Sequence, residues 1–480
     1  MKHRWLSIIG ALFLTVMITI PVLAATASPA TIETPTDVFE GIGYGGNQNT
    51  FYANGRHWEI YLNVDDDLVY RSSINGVTWA AEVEIVANTA LYGPEFSCWY
   101  DAADDRVHYV RHDLDTDNTV YRMGTPAANG TITWAAVEQI VGATPGNLLT
   151  FRVDICTDID GYPWVAWVDD DGVDTDRGIV YIESSSTKNG TWTEDTTATI
   201  EPVGYKVWFV NIIPVQEAPY ARVEVHYSME DIDGEGLGDV ALMAADDLDD
   251  FVEQLAIASA GNMNATRPDA FASINNSAAV TVVYARADGD VMTRTHSAIT
   301  TWATADAASE ILTASAVSVY LPSLSAYTTP LGHSFMCIVN DNLFMKYATN
   351  EYGGGVWSAF TTLWQVPDPD NDVISRHNAS YLHNGGITGL SWQVSFDDGS
   401  PAEYDTVYYW WYDTAGGFGY YPTGTGGNLL NVLLPLVVAI GVILTGLRMA
   451  AGGSGMTGYM VAVIFGVASY IVVSALMVLV

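Results

Sequence analysis

Six aromatic residues recur at almost even intervals, each at the head of a strand-like run: Trp79, Trp134, Trp192, Phe251, Trp302 and Trp357. The gaps are 55, 58, 59, 51 and 55 residues, and Thr precedes four of the six (Thr78, Thr133, Thr191 and Thr301). Repeats of about 50 residues in β-type sequence belong to radially stacked sheets, because one such sheet cannot cover both of its own faces. Each repeat is then one blade of a propeller.

A second beat runs ahead of the first. Val69, Val120, Val180, Val240, Val291, Phe344 and Val407 each begin a short strand, preceded by a β-branched and aromatic run and by Asp, Asn or Gly turns. Seven third strands predict seven blades, at 43–90, 91–145, 146–203, 204–258, 259–314, 315–366 and 367–413. The aromatic residues are expected to open the fourth strands, of which only six are visible. The last repeat ends at Tyr408-Tyr409-Trp410-Trp411-Tyr412, while Asp37–Ile42 precedes the first repeat without a partner. Pairing the two closes the ring and removes a free edge; Phe418-Gly419-Tyr420-Tyr421 is the competing donor. The expectation is an all-β, seven-bladed propeller over residues 35–413, with six to eight blades compatible with the spacing.

The two ends carry a different message. Lys2 and Arg4, an apolar run from Leu6 to Leu23 and the small cluster Ala25-Thr26-Ala27 predict a signal peptide over residues 1–27. Residues 429–447 and 459–480 contain no acid and no base, and each approaches the ~20 apolar residues that cross a bilayer. They predict two transmembrane helices joined by a turn at 448–458, whose sole charge, Arg448, places it in the cytoplasm and the C-terminus outside. Residues 414–428, rich in Gly and aromatics, read as a stalk. An exported propeller integral to the membrane follows.

Acids outnumber bases 56 to 18, with Lys only at positions 2, 188, 206 and 346. Such a surface excludes nucleic acid as a partner. Cys98, Cys156 and Cys337 lie in apolar strand patterns without metal-like spacing, which predicts buried reduced thiols.

Counting along the period aligns the innermost strands. Arg152-Val153-Asp154, Arg267-Pro268-Asp269 and Arg376-His377-Asn378 fall in register, with Glu95, Asn211 and Ser323 at the third position of the intervening repeats. Polar residues at one register line one mouth of the axial channel, and Arg152, Arg267 and Arg376 can converge there on an anionic group. The competing reading is that these arginines pair with acids of neighbouring blades. Three acidic turns invite calcium: Asp113, Asp115 and Asp117; Asp169–Asp174; and Asp231, Asp233 and Glu235. None completes a twelve-residue calcium loop, and solvated turns use the same residues. No other cofactor is implied. Asn-x-Ser/Thr sequons occur at Asn129, Asn189, Asn264, Asn275 and Asn378.

Ser73-Ile74-Asn75-Gly76-Val77-Thr78-Trp79 resembles the Asp box of sialidase-type, or BNR-repeat, β-propellers, one residue short and with Asn for Asp. Ser186–Trp192 is a looser echo, and Asn129–Trp134 keeps the turn and the Trp. The resemblance covers residues 35–413 as architecture. It implies sialidase-type glycoside hydrolysis, in which an arginine triad holds the substrate carboxylate, a Tyr–Glu pair supplies the nucleophile and an Asp acts as acid/base. Arg152, Arg267 and Arg376 could stand for the triad. No motif here matches the Tyr–Glu pair or the Asp, and the family's Arg-Ile-Pro start is absent. The expected function is therefore recognition or adhesion, through a glycan or a surface protein, with exo-glycosidase activity and a structural role on a cell or virion surface as the alternatives.

Overall fold

The structure is a computed structural model. It describes residues 29–418 except 37–41, 43–47, 66, 88–95, 114–115, 117, 144–151, 171–177, 193–197, 203, 216–219, 232–239, 266–267, 276–278, 298–300, 314–319, 330–331, 341–342, 351–355, 367–371, 382–386, 397–404 and 414–416. The predicted signal peptide, most of the stalk and both predicted membrane helices lie outside the described residues. Among the described residues no helix is long and apolar enough to cross a membrane.

Residues 29–414 form one compact unit of seven antiparallel sheets, each with at least four strands. In the first six blades the strands follow chain order from the axis outward. The seven first strands are Thr50–Ala53, Phe96–Asp101, Arg152–Thr157, Tyr205–Pro214, Phe271–Asn275, Leu321–Thr329 and Asp372–Ala379. They pack against one another around the axis because both faces of every blade are apolar. In blade 3, for example, Val153, Ile155, Val165, Trp167, Val180 and Ile182 are all buried. Six of the seven sheets fall within their predicted intervals; the seventh adds Ala30–Thr36 and, from the competing donor segment, Gly417–Phe418, which also pairs with Asp405–Asp413.

The seventh blade borrows its outer strand from the start of the chain, as expected, but from an earlier segment. Ala30–Thr36 pairs antiparallel with Asp405–Asp413, with Ala30 opposite Tyr409 and Thr36 opposite Asp405. Alternation explains the choice: Ala30 and Ile32 turn into the core while Thr31 faces out. Of the segment predicted for this role, Asp37–Gly41 lies outside the described residues. Ile42 is fully buried, and its carbonyl accepts a hydrogen bond of 2.6 Å from Asn378 Nδ2 of the innermost strand of blade 7.

The periodic aromatics also differ from expectation. Most stand in the connection ahead of the outer strand, which begins four to seven residues later at Val83, Gln139, Ala198, Leu255, Ser309 and Thr361. Four of the six wedge across the seam to the preceding blade. Trp79 meets Tyr409 with ring centroids 4.8 Å apart, Trp192 meets Tyr121 at 5.1 Å, Phe251 meets Trp164 at 6.3 Å and Trp302 meets His226 at 5.7 Å. Their edge-on geometry is the favoured one for aromatic pairs. The period is thus set by what holds blade to blade.

The Asp-box-like turn of blade 1 has the hydrogen bonds its sequence promises. Asn75 Oδ1 accepts from the amides of Val77 at 3.0 Å and Thr78 at 2.7 Å, and Ser73 Oγ donates to the Thr78 carbonyl at 2.7 Å. All three cysteines are buried and free.

Candidate functional site: the axis and its mouth

The innermost strands bring polar side chains to the axis from blade after blade. Asp154 is 2 % exposed and accepts hydrogen bonds from Ser97 Oγ (2.6 Å) in blade 2 and from Asn211 Nδ2 (2.5 Å) and Ile212 N (2.9 Å) in blade 4. One carboxyl therefore ties three blades together. Burial pushes it up to about 7, against the pull of these hydrogen bonds. Glu59 is completely buried in the same manner. It accepts from Asn49 Nδ2 at 2.7 Å, and burial raises its carboxyl well above the usual range.

The buried Asp154 carboxyl yields a prediction with a definite sign. A carboxyl whose folded-state pKa is raised favours folding while it is protonated and loses that contribution as pH climbs from its unfolded value through about 7. Asn at this position can accept from Asn211 and Ile212 and donate to Ser97 without ever ionising. Asp154→Asn is expected to be more stable than wild type, by a margin that widens by roughly 2 kcal/mol between pH 5 and pH 8. Denaturant melts at both pH values check it; a margin independent of pH would show that Asp154 does not titrate in this range.

The end of the axis where the innermost strands begin is cationic and aromatic. Arg152 opens its strand with its guanidinium 4.1 Å from the centre of the Phe209 ring. Arg376 Nη1 lies 2.9 Å from Asp269 Oδ2, an ion pair that bypasses blade 6 to join blades 5 and 7. Next to Phe209, Lys206 Nζ sits 4.3 Å above the Trp208 ring, and Trp208 Nε1 donates to Glu230 Oε2 at 2.8 Å. Bulges at Trp208 and Ser375 interrupt these two innermost strands three residues before Asn211 and Asn378. A bulge leaves one residue outside the ladder and re-aims its side chain. Trp208 is half-buried, its ring held between a cation and a carboxylate.

At the far end of the innermost strands the axis is plugged. Tyr381, just after the first strand of blade 7, lies 4.5 Å between ring centroids from Trp99 of blade 2. Its hydroxyl accepts from Asn275 N of blade 5 at 2.8 Å, and Asn275 Nδ2 donates to the Pro214 carbonyl of blade 4 at 3.0 Å.

The positions singled out by sequence are distributed as follows. Arg152, Asp154, Asn211, Arg376 and Asn378 all sit within innermost strands. Asp269 precedes its strand by two residues, so the constant-period count slips in blade 5. Glu95, Arg267, Asp115, Asp117, Asp233 and Glu235 lie outside the described residues. Asp231 ends a strand opposite Tyr205. Asp113 accepts from Thr116 Oγ1 at 2.6 Å and lies 3.4 Å from Arg111 Nη1. Among the described residues no three His, Cys, Asp or Glu side chains are grouped to hold a metal ion.

Sequence reasoning missed the Lys206–Trp208–Glu230 group, although one of only four lysines marked it. It also missed a set of Tyr–carboxylate pairs. Tyr61 donates to Glu82 at 2.8 Å and Tyr109 to Glu138 at 2.7 Å, and Tyr227 makes the same bond to Gln254 at 2.8 Å. Each joins a second strand to the lead-in of the fourth, away from the axis, and the repetition in blades 1, 2 and 4 marks the pairs as architecture. A further buried cluster closes the seam between blades 4 and 5. Glu224 accepts from Trp302 Nε1 at 3.0 Å and lies 3.1 Å from both His226 Nε2 and His296 Nε2. Burial pushes the Glu224 carboxyl up, but the histidine contacts outweigh it and bring it down to about 2.

No protein-family model matches the chain, and no curated protein matches its sequence. Solved structures share its architecture. A lectin from Burkholderia pseudomallei superposes with a TM-score of 0.51 at 10 % identity, over 78 % of this chain and 98 % of the lectin. An ulvan lyase of a polysaccharide-lyase family gives 0.46 at 10 % identity, over 78 % and 95 %. Trypanosoma rangeli sialidase gives 0.44 at 9 % identity, over 80 % of this chain and 59 % of the sialidase. The likeness is one of fold alone.

Proposed function

We propose that this chain is an exported, membrane-tethered propeller that recognises a carbohydrate or a glycosylated surface protein at the mouth of its axis. The observation that carries the reading is the group Lys206, Trp208 and Glu230, next in sequence to the Phe209 ring that meets Arg152, in a chain with 18 bases against 56 acids. Sugars offer apolar ring faces that stack on an indole and hydroxyls that charged groups can bind, and Trp208 with Lys206 and Glu230 supplies both kinds of contact. The fold shared with a lectin is in keeping with this use. The apolar runs 429–447 and 459–480 support tethering, and the leader-like residues 1–27 with Arg448 support a propeller that faces outward. Calcium in the acidic turns is an optional addition.

A glycan array probed with residues 28–420, with and without calcium, tests the reading. Trp208→Ala and Arg152→Ala are each expected to weaken binding by about 1.5–3 kcal/mol while leaving the melting curve in place. Arg286→Ala, on the outer surface beside Asp288 and Asp290, is expected to change nothing. Affinity unchanged in the first two variants would remove the mouth as the site. Turnover of a sialoside by the wild-type protein would favour hydrolysis over recognition.

A further inference from the structure

We infer that Asn129 and Asn189 are acceptors for N-linked glycan and that the other three sequons are not. The inference rests on the export proposed above but concerns a different face of the molecule. Asn129-Gly130-Thr131 and Asn189-Gly190-Thr191 occupy like turns that leave the third strands of blades 2 and 3, Asn118–Pro126 and Gly178–Ser184. In both turns the glycine amide closes back on the carbonyl three residues earlier, Ala127 at 2.9 Å and Thr187 at 3.1 Å. Both asparagines are exposed.

What separates these two sites from the rest is the atom of the side-chain amide that the fold uses. Glycan transfer needs the nitrogen. At Asn129 the oxygen is engaged: Oδ1 accepts from Thr131 N at 3.1 Å and from Thr131 Oγ1 at 2.8 Å. At Asn189 Oδ1 accepts from Arg106 Nη1 at 2.5 Å. Nδ2 of each makes no hydrogen bond among the described residues and faces solvent. The opposite holds elsewhere. Asn264, Asn275 and Asn378 are 6 %, 8 % and 0 % exposed, and each spends its nitrogen inside the ring. Asn264 Nδ2 donates to the Ala287 carbonyl at 3.4 Å, Asn275 Nδ2 to the Pro214 carbonyl at 3.0 Å and Asn378 Nδ2 to the Ile42 carbonyl at 2.6 Å. A glycan on any of the three would replace an N–H hydrogen of a buried amide and force a sugar into the core. Such a chain could not close its ring.

The co-reactant is a polyprenyl-phosphate-linked or diphosphate-linked oligosaccharide, with the transferase that an exporting host provides. Asn Nδ2 forms a bond to C1 of the first sugar as the C1–O bond to the lipid phosphate breaks; the phosphate leaves as the anion and Nδ2 gives up one proton. The test is expression of the full chain in a eukaryotic secretory host, once with its own residues 1–27 and once with a host leader in their place. Two glycan increments are expected, removed one at a time by Asn129→Gln and Asn189→Gln and together by the double variant. Peptide mass spectrometry should find Asn264, Asn275 and Asn378 unmodified in folded material. Failure of export with the native leader alone would count against the leader and not against the sites. Folded, exported protein bare at both asparagines, or glycosylated at any of the three buried ones, would overturn the inference; glycan at only one of the pair would overturn it for the other.

Discussion

Deleting residues 29–36 from the span 28–420 is expected to yield a species that self-associates and melts far lower than the undeleted span. The strand Ala30–Thr36 supplies the outer edge of blade 7 and buries Ala30 and Ile32. It also reaches the next blade, since Arg71 of blade 1 donates to the Ile32 carbonyl. Losing one buried Ile, several ladder hydrogen bonds and that contact costs on the order of 5 kcal/mol by ordinary increments. The remaining edge, Asp405–Asp413, would be covered only where Gly417–Phe418 pairs with it and would offer the rest of a strongly aromatic strand, Tyr408 to Tyr412, to any neighbour. Size-exclusion chromatography with a thermal melt measures both effects. A deletion that stays monomeric with an unaltered melt would mean that the ring does not depend on this strand.

Gly190→Ala is expected to be nearly as damaging, from a single methyl group. Gly190 has a φ of +75° and sits so close to blade 2 that an added Cβ would lie 2.0 Å from Cε1 of Tyr121. Tyr121 cannot retreat easily: it is fully buried, and its hydroxyl is 2.7 Å from His108 Nδ1. The left-handed backbone costs ~1–2 kcal/mol for alanine, and overpacking a tight seam adds ~1–3 kcal/mol. Gly55→Ala is the control, with a φ of +74° and nothing within 4 Å of the added carbon, so only the backbone cost should appear. Chemical denaturation of the pair separates the two contributions; equal losses would show that the seam accommodates the methyl group.

What was legible in the sequence follows from what repeats in space. The aromatic period is readable because Trp79, Trp192, Phe251 and Trp302 do one job at four of the seams, and equal blades force equal chain lengths between equal jobs. The seventh beat is missing because blade 7 takes its outer strand from the other end of the chain. Side-chain groupings were less legible. Glu224 and Trp302 are 78 residues apart and meet only because blades 4 and 5 stack. Trp208 meets Lys206 and Glu230 from a bulge, which alternation along a strand cannot anticipate. Counting placed Asp154, Asn211 and Asn378 in innermost strands but slipped at Asp269, where a turn stands ahead of the strand.

The borrowed strand also sets a timetable. Six blades can be completed as the chain emerges, each from its own contiguous residues, but Ala30–Thr36 must wait for Asp405–Asp413. At about 5–20 residues per second, the 369 residues separating Thr36 from Asp405 take roughly 20–75 s to synthesise. Through that interval the first strand of the protein to be made is the last to find its place. Its own composition guards it during the delay: Pro35 withholds one backbone donor and Glu33 adds a charge, so it is a poor template for self-pairing. Ring closure is then a single late event whose rate depends on the survival of a seven-residue segment, and anything that traps or trims that segment arrests the molecule one strand short of completion.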